Sequence, residues 1–167
     1  MSTITDPVLG STAAAVHPAG TADPRGLRLG AAITSVVLAA SLAVSGVSYV
    51  VSAVLLSAQA VVFALGVVRG PSRSPYGLLF KGLVRPRIGA PQQIEDARPP
   101  RFAQAVGLVF TVLGVVGFAL GIGPLGIVAT GFALVAALLN ATIGLCLGCE
   151  MYLTIRRFAP VSAPAES

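Results

Sequence analysis

The chain has 167 residues, 55% of them apolar and 10% charged, with a formal net charge of +5. A soluble globular domain carries about 25% charged residues to solvate its surface, so this composition excludes a soluble enzyme, a disordered chain and a disulfide-stapled secreted domain. Leu29 to Val68 and Phe102 to Cys149 contain no Asp, Glu, Lys or Arg across 40 and 48 residues, and each stretch is long enough for two spanning helices of roughly 20 residues.

Residues 1–24 are rich in Ala, Ser, Thr, Pro and Gly, without apolar periodicity, and read as a disordered cytoplasmic tail. The single histidine, His17, has no Cys, His or Asp at metal-ligand spacing, so no metal site is expected there. Arg25 and Arg28 ahead of an apolar run that contains Ser41-Leu42-Ala43 also fit a cleaved leader, but the preceding tail is long for one.

A single helix of 40 residues would reach about 60 Å, twice a bilayer core, so each charge-free stretch must turn at its centre. Ser45 to Tyr49 and Gly121 to Gly126, the latter with Pro124, supply the breaks. The expected fold is all-α and integral to the membrane: four spans near 29–45, 49–68, 103–120 and 125–145, arranged as two helical hairpins within a membrane domain at 25–157. Residues 158–167 read as a second disordered tail.

Six prolines divide the connecting loop 69–101, leaving Tyr76 to Arg85 as its proline-free helical stretch. The spacing puts Tyr76, Leu79, Phe80 and Leu83 on one face, flanked by Lys81 and Arg85, as in a short helix lying in the headgroup layer. Arg73, Lys81, Arg85, Arg87 and Arg101 are the candidate contacts for anionic lipid headgroups, another anion or a partner. Glu95 and Asp96 read as part of a salt-bridged loop.

All eleven cations lie before the first span, between the second and third, or after the fourth. Lys and Arg in short loops are retained on the cytoplasmic side, so both termini and the central loop are expected to be cytoplasmic. The positive charge is then a topology and lipid signal, and no nucleic-acid partner is expected. Gln59, Gln104 and Asn140 are amides in or near spans and read as glue between helices, with a polar substrate path as the weaker alternative. Gly117-x-x-x-Gly121 and Gly144-x-x-x-Gly148 match the close-packing spacing.

Cys146-Leu147-Gly148-Cys149 uses both cysteines of the chain. On a helix, positions i and i+3 share a face, which suits a disulfide or a transient redox dithiol. Read as the last turn of the fourth span, the pair lies at a helix C-terminus, where the dipole and the neighbouring Glu150 disfavour a thiolate. The opposing reading is two small packing residues at the membrane boundary.

Several strings together resemble a bacterial, notably actinobacterial, membrane family known as domain of unknown function 4395. They are Asp23-Pro24-Arg25-Gly26, Gly70 to Phe80, Leu83 to Arg87, Pro99 to Gly107 and Cys146 to Tyr152. The resemblance spans roughly Pro24 to Arg157. It implies an inner (plasma) membrane location, no established activity or cofactor, and a functional unit of Cys146, Cys149, Glu150 and Tyr152. Members are often encoded beside thioredoxin-like and sulfurtransferase proteins, which implies such a partner for a cytoplasmic-face dithiol in redox or sulfur transfer. The alternatives are a non-enzymatic scaffold or assembly subunit and, less well supported, a small-solute transporter formed by a homo-oligomer.

Overall fold

A computed structural model describes residues 20–89 and 94–158. Most of the N-terminal tail, including His17, and residues 159–167 of the C-terminal tail lie outside the described residues. A two-residue strand, β1 (Thr21–Ala22), leads into helix α1 (Pro24–Ser45). Asp23 caps α1: its Oδ1 accepts a hydrogen bond from the backbone N–H of Arg25 at 3.0 Å, and Pro24 occupies the first helical position, where a missing N–H costs nothing. This cap starts α1 five residues before the charge-free run.

Gly46 to Ser48 connect α1 to α2 (Tyr49–Arg69), whose end is set by Gly70 at φ 87°. After the connecting segment come α5 (Arg98–Ala119) and α6 (Gly123–Ile143). All four of these helices are long and apolar enough to cross a membrane, which makes the chain a multi-pass membrane protein. In the bundle α2 packs on α5 and α1 on α6, while α1 also meets α2 and α5 meets α6. Leu38, Leu56, Phe118 and Ala133, one from each helix, form the buried core.

The fully buried polar side chains of this bundle pair with one another or with their own helices, because hydrocarbon offers them no water. Ser41 Oγ donates to the Ser52 carbonyl and Ser52 Oγ to the Ser41 carbonyl, at 3.2 and 2.8 Å, with both residues fully buried. Gln59, also buried, joins three elements: its Nε2 donates to Thr34 Oγ1 at 3.2 Å, and its Oε1 accepts from the Tyr76 hydroxyl at 2.8 Å. Close helix approach uses glycines in another pattern than the spacing suggested. A Cβ on Gly117 would strike the backbone of Gly126 across the α5–α6 contact. Gly121 and Gly144 instead hold positive φ values of 72° and 76° and act as turns.

The connecting segment is helical from Pro75 to Ile88, as α3 (Pro75–Leu79), one π turn (Phe80–Val84) and α4 (Arg85–Ile88). Phe80 is buried against Gly26, where a Cβ would come within 2.9 Å of the ring. Leu79 and Leu83, however, are 43% and 54% exposed, so the four residues expected on one face divide between two. The wide π turn rotates Leu83 away from the face that Tyr76 and Phe80 turn to the bundle. Glu95 and Asp96 form β2 (Glu95–Asp96), antiparallel to β1. Asp96 Oδ1 accepts from the N–H of Arg98 at 2.9 Å at the start of α5, a helix-starting role rather than the salt-bridged loop expected.

Tyr76→Phe leaves the buried Gln59 Oε1 without its donor, and the expected loss of stability is about 1–2 kcal/mol. Burial pushes the Tyr76 hydroxyl above its ordinary value, so its contribution is complete below about pH 10 and disappears as pH rises through the folded-state value. Thermal unfolding in detergent should therefore show the wild type above the variant at pH 8, with the gap closing at strongly alkaline pH. A constant gap would refute the assignment.

Candidate functional site

The fourth span ends two residues earlier than the sequence suggested. Gly144, at φ 76°, receives the C-terminal turn of α6, and its N–H donates to the Asn140 carbonyl. This left-handed conformation closes a helix and favours glycine. The chain then leaves the α6 axis and starts α7 (Leu147–Phe158). Cys146 is the residue before its first turn, and its carbonyl accepts from the Glu150 N–H at 3.0 Å.

The C-x-x-C therefore opens a helix instead of closing one, which corrects the C-terminal placement expected from the apolar run. At the N-terminus the free backbone N–H groups and the dipole favour a thiolate over a thiol. Cys146 and Cys149 have Cα atoms 5.1 Å apart, with their sulfurs joined as a disulfide, and both are half-buried. Glu150 is exposed in the first turn of α7, where a carboxylate complements the dipole.

Two contacts hold α7 against the bundle. Gly148, between the cysteines, lies so close to α5 that a Cβ there would come 2.6 Å from the Cα of Ala103. Tyr152 packs its ring on Phe102 of α5, with centroids 5.8 Å apart and planes at 48°. Its hydroxyl accepts from Arg156 Nη1 at 3.4 Å. Tyr152 is thus placed to dock α7, while Glu150 shares the first turn with the cysteines. Leu147, Met151, Ile155 and Phe158 recur at helical spacing along α7 and are all exposed, the pattern of a helix lying at a membrane surface.

Arg28 lies beside the break. Its Nη2 donates to the Thr142 carbonyl at 2.7 Å and reaches the Ala141 carbonyl at 3.5 Å, satisfying the last carbonyls of α6. The guanidinium also comes within about 4 Å of where a Gly144 Cβ would sit, two residues before Cys146. In the sequence Arg28 reads as a topology signal or as part of a leader, because nothing local marks it as a cap for a helix 113 residues away.

The cysteines form one edge of a cavity of about 510 Å³ that extends among α1, α5 and α6. Gly, Ala and Phe recur along its walls, with Gln104 and Asn140 among the polar residues. Neither amide side chain makes a hydrogen bond to another described residue. Gln59 supplies the hydrogen-bonded link between helices, Gln104 packs its carboxamide against Gly66 of α2, where a Cβ would come 2.8 Å from Oε1, and Gln104 and Asn140 both border the cavity.

The five cations named from the sequence separate into two groups. Arg73, Lys81 and Arg85, with Arg69, line a crevice of about 140 Å³ bounded by Asp23 and Ser72. Arg101 Nη2 donates to the Val68 carbonyl at 2.8 Å, and its Nε donates to the Val67 carbonyl, so it closes the end of α2. Arg87 Nη1 donates to the Leu83 carbonyl one turn earlier. Arg87 and Arg101 are therefore committed to backbone carbonyls.

No curated protein and no solved structure matches the chain. A family model described as a domain of unknown function (DUF4395) matches residues 22–157, a range that takes in all four spans, the basic crevice and the first eleven residues of α7. With most of its length covered, this chain belongs to the DUF4395 family.

Proposed function

We propose that the protein is a membrane dithiol–disulfide carrier that exchanges electrons, or a sulfane sulfur, with a soluble thioredoxin-like or sulfurtransferase protein at the cytoplasmic face of the bacterial inner membrane. The observation that carries this reading is the position of Cys146 and Cys149 across the first turn of α7, joined as a disulfide. In redox exchange a thiolate of the partner attacks one sulfur of the Cys146–Cys149 bond, which breaks as a mixed disulfide forms. The partner's second thiol then resolves that bond, leaving the partner oxidised and this pair reduced. Arg28, whose guanidinium approaches Gly144 and borders the same cavity as the pair, adds a positive charge that favours the developing thiolate.

Orientation rests on charge. Arg28, at the start of α1, reaches the end of α6, and Arg101, at the start of α5, reaches the end of α2. Cation-bearing ends of four spans thus meet, and the retention of cations on the cytoplasmic side puts them, the termini and α7 there.

A second reading concerns the crevice lined by Arg69, Arg73, Lys81 and Arg85. Its cations suit an anionic lipid headgroup, which would anchor the connecting segment and serve a scaffold role.

Three outcomes are expected. Cys149→Ser traps a mixed disulfide with an oxidised thioredoxin-like protein: the Cys146 thiolate attacks the partner's disulfide, one partner sulfur leaves as a thiolate, and no second thiol of this chain resolves the new bond; no adduct from this variant or from Cys146→Ser would rule out exchange. In the reduced wild type, alkylation by iodoacetamide at pH 7 runs about fivefold faster than that of an unperturbed thiol, because helix N-termini raise the thiolate fraction; a rate at or below the free-thiol value would contradict the dipole argument. Arg73→Gln with Lys81→Gln weakens retention of phosphatidylglycerol roughly thirtyfold, at about 1 kcal/mol per cation. Unchanged lipid content after purification would remove the headgroup reading.

A further inference from the structure

Neither the family match nor dithiol exchange with a soluble partner accounts for the cavity of about 510 Å³ at the cysteines. Its size falls in the range of small-molecule sites, which are mainly apolar with a few placed polar groups. Cys146 and Cys149 border it near the ends of the spans, and the Phe110–Phe132 pair, with centroids 6.1 Å apart, borders it deeper in the bundle. From Gln104 to Phe110 along α5, and from Asn140 to Phe132 along α6, the rise is roughly 9–12 Å at 1.5 Å per residue. A ring carrying the start of a hydrocarbon tail fits that depth.

The polar groups on the walls describe the guest. Thr34 and Tyr76 are already engaged through Gln59, and Arg28 is held by the α6 carbonyls. The Gln104 carboxamide packs its oxygen against Gly66, and neither Gln104 nor Asn140 donates a side-chain hydrogen bond to another described residue, so each keeps N–H donors for a carbonyl oxygen. Arg28 and Glu95 are the charged lining residues, one of each sign, and the rest of the wall is uncharged; burying an anion there is costly, so the guest is neutral. A neutral, lipid-soluble molecule with carbonyl acceptors, next to a dithiol that can release two electrons, has the chemistry of a quinone.

We infer that this cavity is a quinone site and that the reduced Cys146–Cys149 pair passes its electrons to the quinone. This rests on the dithiol reading above and supplies its second substrate. Both S–H bonds break and the S–S bond forms; two electrons and two protons move to the quinone, giving one hydroquinone per cysteine pair. Gln104 and Asn140 position the ring through its carbonyl oxygens, and a soluble protein dithiol reduces the disulfide again.

The test uses the full-length protein in liposomes, reduced with dithiothreitol, freed of reductant and mixed with decylubiquinone. The expected result is one hydroquinone per protein, lost in Cys146→Ser, with thiols restored by dithiothreitol so that disulfide formation is distinguished from arylation. Gln104→Leu and Asn140→Leu should raise the half-saturating quinone concentration at least fivefold, with the maximal single-turnover rate within twofold. Ala137→Leu, which fills the cavity, should slow quinone reduction at least tenfold while mixed-disulfide trapping in a Cys149→Ser background continues. If wild-type thiols oxidise no faster with quinone than without, while trapping succeeds, the quinone site is overturned and the exchange reading stands. If neither occurs, both fail. Unchanged quinone dependence in all three wall variants would also overturn the site, as expected if the cavity holds only lipid acyl chain.

Discussion

Without water in the bilayer core, every polar group of a span must find its partner inside the bundle. That constraint sets the arrangement of the helices. The reciprocal Ser41 and Ser52 bonds join α1 to α2 just before and after their turn. The Thr34–Gln59–Tyr76 chain joins α1, α2 and the connecting segment, and Thr111 and Thr130 donate to carbonyls of their own helices. Such bonds contribute only about 0.6 kcal/mol on average in membranes, so their value is in fixing which faces meet. The unpaired Gln104 and Asn140 stand out against this pattern: both occur at the end of the bundle that carries the cysteines.

Gly144 is where the bundle becomes a site. Had α6 continued, Cys146 and Cys149 would occupy its final turn, with unpaired carbonyls and negative dipole around them. A single left-handed residue ends the helix, Arg28 takes up the freed carbonyls, and the two cysteines fall at the start of the next helix. Gly148 then allows α7 to lie against Ala103. The chemistry of the pair thus depends on backbone conformation at one glycine and side-chain absence at another.

The four spans were legible because charge is excluded from hydrocarbon whatever the packing, and an absence over 40 residues is unmistakable. The helix break was hidden for the same reason: Leu145-Cys146-Leu147 continues the apolar run, and Glu150 is the first charge after it. Positive φ at Gly144 leaves no trace that separates it from the many other glycines. Arg28 and Arg101 looked like two topology signals among eleven, yet each closes a helix distant in sequence. A π turn shifts the period between Phe80 and Leu83 and carries Leu83 off the expected face, while Leu79, ahead of that turn, is exposed as well. Among the named cations, the spacing could not show that Arg73, Lys81 and Arg85 share a crevice while Arg87 and Arg101 bind carbonyls.

The cavity itself is a matter of side-chain size. Ala133, Ala136 and Ala137 follow the inner side of α6 along its wall, and Gly107 borders it on α5. Leucine or valine at those positions would be equally compatible with hydrocarbon and would add dispersion contacts that an open space forgoes. In the α5–α6 contact, small residues at Gly117 and Gly126 bring backbones together; toward the cysteines, small residues line a space that the helices do not close. The same residue class thus does opposite things at the two ends of the bundle. The helix pair is tight at its turn, where Gly117 meets Gly126, and open toward Cys146 and Cys149, so one contact both fixes the helices and leaves the cavity at its other end.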